Sequence, residues 1–188
     1  MRPSFFRSVS FLGSTKVVLI GGAVLALLAW RKCHMVALLV VAATLSRPLV
    51  EHVIKITVQR GRPSIDRMVN GVGYSFPSGH VMAAATLWLM VPVVVSLYTR
   101  SRRVWMASAI ASVTLVVLIA ASRVYLGVHW PIDVLAGGLA AAMLLAGLDL
   151  GFRRLHQPRP CGDARQPCSD ASGPVDDTVE AEVPELVA

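Results

Sequence analysis

Trp105–Ala121 runs for seventeen residues without an ionisable side chain, and runs of this kind limit what the chain can become more than any motif does. Hydrocarbon offers no water to pair a backbone N–H or C=O, so a segment crossing it must close its own hydrogen bonds, as a helix does. Comparable apolar blocks occupy Val17–Trp30, Met35–Thr57, Val81–Tyr98 and Pro131–Gly151. With 55% apolar and 15% charged residues and a mean hydropathy of +0.62, the sequence predicts an all-α, polytopic transmembrane helix bundle of about five spans. Val17–Trp30 holds fourteen uncharged residues. It reaches across about 30 Å of hydrocarbon only by borrowing its flanks, with Lys16 snorkelling. A cleaved signal peptide is the rival reading, but no small-residue cleavage site precedes Arg31.

The chain therefore divides into a basic N-terminal segment (1–16), a membrane-embedded domain (17–152) and a tail (153–188). The tail is polar, proline-bearing and acidic without an apolar face, and is expected to be disordered. The net charge of +7 conceals this asymmetry, because seven of the eleven acids lie beyond residue 156. Sixteen of the eighteen Lys and Arg lie before it, with only Glu51, Asp66, Asp133 and Asp149 to balance them. Such an excess sets topology and touches anionic headgroups. Arg31 with Lys32, the Arg100–Arg103 loop, and Arg153 with Arg154 fall on one side of a five-span chain, predicted to be cytoplasmic together with the tail. The connection after Lys55 and the Arg123–Asp133 segment then share the extracytoplasmic face, while Arg2, Arg7 and Lys16 break the rule. Cys33, Cys161 and Cys168 make neither a disulfide framework nor a zinc pattern and are expected to be incidental thiols.

Polar residues inside or beside apolar spans are costly and usually functional. Arg47, Glu51 and Lys55 succeed one another at i, i+4, so they share a helical face that must look into the bundle. Arg47 and Glu51 are expected to neutralise each other and Pro48 to kink the helix, while Lys55 differs because of the stretch that follows it. The polar connection Gln59–Pro77 runs into Y-S-F-P-S-G-H. There Ser78 is a candidate N-cap, and the N–H groups of Gly79 and His80 would open a helix as an anion site. Ser122–Asp133 reads S-R-V-Y-L-G-V-H-W-P-I-D. Pro131 suits a first helical turn, which puts His129 just before the helix and Asp133 within its first turn. A carboxylate so spaced is predicted to reach back to one imidazole nitrogen, leaving the other free to attack. Arg123 adds positive charge to whatever is attacked, and phosphate is the chemistry these groups suit.

Together, K-I-T-V-Q-R-G-R-P (Lys55–Pro63), P-S-G-H (Pro77–His80) and S-R-V-Y-L-G-V-H-W-P-I-D resemble, in order and spacing, the three-part signature of the type 2 phosphatidic acid phosphatase family. The family includes membrane lipid-phosphate and polyprenyl-diphosphate phosphatases. The resemblance covers about residues 11–151. It implies that His129 is a nucleophile forming a phosphohistidine, with Asp133 orienting it. Lys55, Arg62 and Arg123 would hold the phosphoryl oxygens, helped by Ser78 and the backbone at Gly79, and His80 would donate a proton to the leaving group and later help to activate water.

Phosphoryl transfer asks mainly for positioning and for neutralisation of charge, which three fixed cations can supply. No acidic cluster suggests a metal, so no cofactor is expected. The implied partners are a lipid phosphate or diphosphate substrate and membrane lipids, not nucleic acid, in the plasma (inner) membrane; the sequence carries no signal for an oligomeric state. Six spans are usual in the family, and F-L-G-S-T-K resembles the segment that follows the first of them. The expectation is thus either an upstream start or a five-span variant. A catalytically silent lipid-binding or scaffolding protein on the same fold, and a small transporter using Arg47 and Glu51, are the competing classes.

Overall fold

The computed structural model describes residues 3–63 and 73–155, which are helical apart from the connections. The helices are α1 (Pro3–Phe11), α2 (Thr15–Trp30), α3 (His34–Val58), α4 (Gly79–Trp88), α5 (Val91–Ser96), α6 (Arg102–Tyr125) and α7 (Pro131–Leu155). By length and apolar character α3, α6, α7 and the stretch Gly79–Ser96 can each cross a membrane, and α1 with α2, bent by 42°, meets the same measure only as a pair. The predicted helical bundle is present, and its spans agree with the sequence to within a few residues at each end.

Local chemistry explains the boundaries. Ser14 caps α2 by accepting from the Val17 N–H (3.5 Å), and Ser101 does the same for α6 at Val104 (3.5 Å). α3 ends where Gln59 turns left-handed (φ 50°). Pro48 lies inside α3, which stays continuous as a single helix. The third span is broken between α4 and α5, where Pro92 brings no N–H to continue the ladder.

α4 is the centre of the bundle, with Val81, Met82, Ala83, Ala84, Ala85, Thr86 and Leu87 all buried. Small residues let its neighbours approach, as expected where lipid tails are as apolar as the side chains and packing must supply the attraction. A Cβ on Gly137 of α7 would lie 2.7 Å from the Ser78 carbonyl oxygen, and one on Gly21 of α2 would lie 2.8 Å from Leu87. The outer faces are apolar instead. Leu135, Leu139 and Met143 form an exposed ridge on α7, and Ile110, Val113 and Val117 do so on α6, the arrangement expected of surfaces that meet lipid.

Three expectations change. Residues 3–11 of the N-terminal segment form a helix packed on the C-terminal end of α6, where Phe6 stacks on Tyr125 (centroids 4.0 Å apart, 26°). Cys33 is buried and disulfide-bonded, so it is no incidental thiol. α7 continues to Leu155, past the predicted domain end at 152. The predicted disordered tail from residue 156 onward, and Asp66, Arg67 and Asn70 of the polar connection, lie outside the described residues.

Candidate active site

Alternating helix directions bring the end of α3, the start of α4, the end of α6 and the start of α7 to one end of the bundle. Backbone bonds join their connections. The Ser75 N–H donates to the Arg60 carbonyl (2.8 Å), and the Ser78 N–H donates to that of Asp133 (2.9 Å). The second bond depends on Gly137, one turn beyond Asp133 on α7, whose missing side chain lets the helix rest against the backbone of Ser78.

His129 is buried and precedes α7, as predicted. Its Nδ1 lies 2.9 Å from the Ser75 carbonyl oxygen. A carbonyl can only accept, so Nδ1 carries the proton and Nε2 presents its lone pair. Nε2 in turn lies 3.4 Å from Arg62 Nη1. Burial above all, then the charges of Arg62 and Arg123, push the His129 imidazole from its ordinary 6.5 down to about 3, against the Ser75 carbonyl, which favours the protonated ring. The ring is neutral at physiological pH.

The predicted direct contact from Asp133 needs correction. Its Oδ2 lies 3.8 Å from His129 Nδ1, beyond hydrogen-bond reach. The reason is position. Asp133 is the third residue of α7, where a carboxylate reaches back to the N–H before the helix, and Oδ2 accepts from the Trp130 N–H (2.9 Å). The same oxygen accepts from the Ser75 hydroxyl, while Oδ1 accepts from Arg60 Nη1 (3.2 Å). Asp133, fully buried, is therefore linked to His129 through Ser75, whose hydroxyl it accepts from and whose carbonyl holds the ring.

The cations gather around the histidines. Arg62 is fixed by carbonyls, donating from Nε to Gly73 (3.0 Å) and from Nη1 to Val128 (3.0 Å). Arg123 is buried and donates from Nη1 to Ser10 Oγ (2.8 Å). Lys55 joins the Arg47 and Glu51 pair. Its Nζ lies 2.5 Å from Glu51 Oε1, while Glu51 Oε2 accepts from Arg47, so one carboxylate serves both cations. An i, i+4 carboxylate lies equally near the residue before and the residue after it, which makes the shared arrangement the natural one.

His80, second residue of α4, lies within electrostatic reach of Arg123, Glu51, Lys55 and Arg47. A Cβ on Gly79 would overlap the Glu51 carboxylate, so a larger residue here would displace the group that holds Arg47 and Lys55. Ser78 precedes α4 as predicted, yet its side chain caps nothing. Ser78 Oγ is fully buried and makes no hydrogen bond among the described residues. Such an unpaired hydroxyl, at the N-terminus of α4, suits an anion. Among the described residues, no three His, Cys, Asp or Glu come together as metal ligands would.

Thus His129, His80, Asp133, Arg62, Arg123, Lys55, Ser78 and Gly79 share one end of the bundle. Sequence reasoning missed Ser75, Arg60, Ser10 and the reach of Glu51. Ser75 stands within Y-S-F-P-S-G-H and Arg60 within Q-R-G-R-P, so their neighbours were the available signal.

A model of the PAP2 superfamily matches residues 36–157. Among curated proteins, the chain is similar to a phosphatidylglycerophosphatase B of Bacillus subtilis, 39% identical over 58% of this chain and 56% of that protein. It is also similar to an undecaprenyl-diphosphatase of Sulfolobus acidocaldarius, 39% identical over 38% of this chain and 30% of that one. The chain thus spans little more than half the length of the curated relatives it matches, or less. A solved transmembrane PAP2-type phosphatidylglycerolphosphate phosphatase from Bacillus subtilis has a TM-score of 0.65 and 28% identity, covering 84% of this chain and 79% of that one.

Proposed function

The chain belongs to the PAP2 superfamily, and from that footing we propose that it is an integral membrane lipid phosphate phosphatase working through a phosphohistidine, without a metal. The observation that carries this is the state of His129. It is a buried, neutral imidazole whose Nδ1–H is committed to the Ser75 carbonyl and whose Nε2 lone pair faces a cluster of cations.

In the first step Nε2 attacks phosphorus. The N–P bond forms as the P–O bond to the lipid breaks, and His80 gives its proton to the departing oxygen. Positive charge growing on the His129 ring is shared through Nδ1–H with the Ser75 carbonyl, backed by Asp133. Arg62, Arg123 and Lys55 neutralise the equatorial oxygens, with Ser78 Oγ and the N–H groups opening α4 as further donors. Water then attacks phosphorus, giving its proton back to His80, and the N–P bond breaks to free phosphate and neutral His129.

The substrate class is a polyprenyl diphosphate or a glycerophospholipid phosphate, such as phosphatidylglycerol phosphate or phosphatidic acid. The names of the relatives support both. A site built from helix ends meets a headgroup at the membrane surface while its tail stays in lipid.

The test is phosphate release by detergent-purified protein in excess EDTA from a panel of these lipids, beside His129→Ala and His80→Ala. Release should survive chelation, fall at least about a thousandfold in His129→Ala, and leave an acid-labile phosphoryl group on the wild type during turnover. Loss of release on chelation, or release by His129→Ala at the wild-type rate, would overturn the mechanism.

A further inference from the structure

We propose that the N-terminal helix α1 belongs to the phosphate site, with Ser10 as the positioning residue that aims Arg123. The inference rests on the phosphatase reading above and extends it to a segment outside all three signature stretches.

Ser10 is the most deeply buried of the side chains described on α1, 4% exposed, although Phe5 and Phe11 on the same helix are 57% and 58% exposed. Outward phenylalanines suit a surface that meets lipid, but a serine at the inward position means that α1 meets its neighbour there through a polar group. Its partner explains this. Ser10 Oγ accepts from Arg123 Nη1 at 2.8 Å across 113 residues of sequence, with both groups buried. A hydrogen bond from a charged donor in such surroundings is among the stronger ones.

The geometry of the guanidinium gives the bond its use. Nε–H and the outer Nη2 form the side-on edge, with two parallel donors that match a phosphate. Ser10 takes Nη1, which is not on that edge, and Arg123 Nε is buried and makes no hydrogen bond among the described residues. Ser10 therefore fixes the rotation of the fork and leaves its recognition edge for the anion.

The same segment is held against the other signature stretches. Phe6 stacks on Tyr125, two residues beyond Arg123. The Trp88 indole N–H donates to the Leu12 carbonyl (3.3 Å). A Cβ on Gly13 would lie 2.8 Å from the His80 carbonyl oxygen. Residues 6–13 thus touch the helices carrying Arg123 and His80 together.

The test compares wild type, Ser10→Ala and Ser10→Thr in detergent, measuring inorganic phosphate binding by calorimetry, lipid phosphate hydrolysis as separate kcat and KM, and thermal unfolding. Ser10→Ala should bind inorganic phosphate about fivefold or more weakly and raise KM by a similar factor, with kcat changing less. Ser10→Thr, which keeps the hydroxyl, should recover most of the loss while unfolding no later than Ser10→Ala. Wild-type phosphate affinity and KM in Ser10→Ala would overturn the inference and leave the phosphatase standing. So would equal losses in both variants that track earlier unfolding. If wild type neither bound phosphate nor released it from any lipid, the phosphatase reading would fall, and Ser10 with it.

Discussion

His129 has one ring nitrogen committed to a backbone carbonyl and the other facing cations, and its titration should reflect that. Sharing space with Arg62 and Arg123 in a buried setting, it should stay neutral at pH 5, with Nδ1 protonated and Nε2 bare, as imidazole ¹⁵N shifts would report. Half-titration between pH 6 and 7 would contradict the site described. The linkage has a definite sign. Between about 6.5 and 3 the unfolded chain binds a proton on this ring that the folded chain does not, so the contribution of His129 to stability is complete above 6.5 and is lost as pH falls through that window. The histidine, its arginines and the helix start at Pro131 were all legible in the sequence. The group that holds the ring was not, because a carbonyl acceptor such as that of Ser75 exists in every residue and becomes specific only through tertiary placement. Asp133 misled for a related reason. Spacing alone permitted contact with His129, but the N–H of Trp130 is nearer to a carboxylate at the third position of a helix and took its oxygen.

Helices rather than single side chains decide how the signature stretches meet, and two adjacent glycines of α7 separate the contributions. Gly137 touches the Ser78 carbonyl, while a Cβ on Gly138 would meet nothing within 4 Å. Gly137→Ala should force α7 away from α4, cost about 1–3 kcal/mol and lower both thermal stability and activity. Gly138→Ala should leave both near wild type or slightly raise stability through helix propensity. Equal behaviour of the two in a detergent unfolding series would show that close approach at Gly137 does not matter. The spans themselves were readable because apolar runs and the demand for internal hydrogen bonds admit one solution. α1 was not readable as part of the bundle, since it is nine residues long and is held by partners more than a hundred positions away, which no local pattern announces. The break between α4 and α5 had Pro92 as its visible sign.

Across the whole molecule, the basic connections at Arg31–Lys32 and Arg100–Arg103 and the pair Arg153–Arg154 lie at the end of the bundle opposite His129, as the alternating helices require. The preference of Lys and Arg for the cytoplasmic side then puts the site on the outer face of the membrane, which we offer as the orientation of this chain. Intact spheroplasts should release phosphate from a lipid phosphate added outside, and a reporter fused after Ala188 should be active only in the cytoplasm. Release only after lysis would reverse the assignment. Such a site has no floor of its own, being made where helices stop. Asp133 and Gly137 both bear on the backbone of Ser78, so a slip of α7 along α4 by one residue, about 1.5 Å, would break the Ser78–Asp133 bond and draw the carboxylate away from Ser75 in the same movement. The support of His129 is then also a latch on helix register, and a chain assembled one step out of line would lack that support from the start.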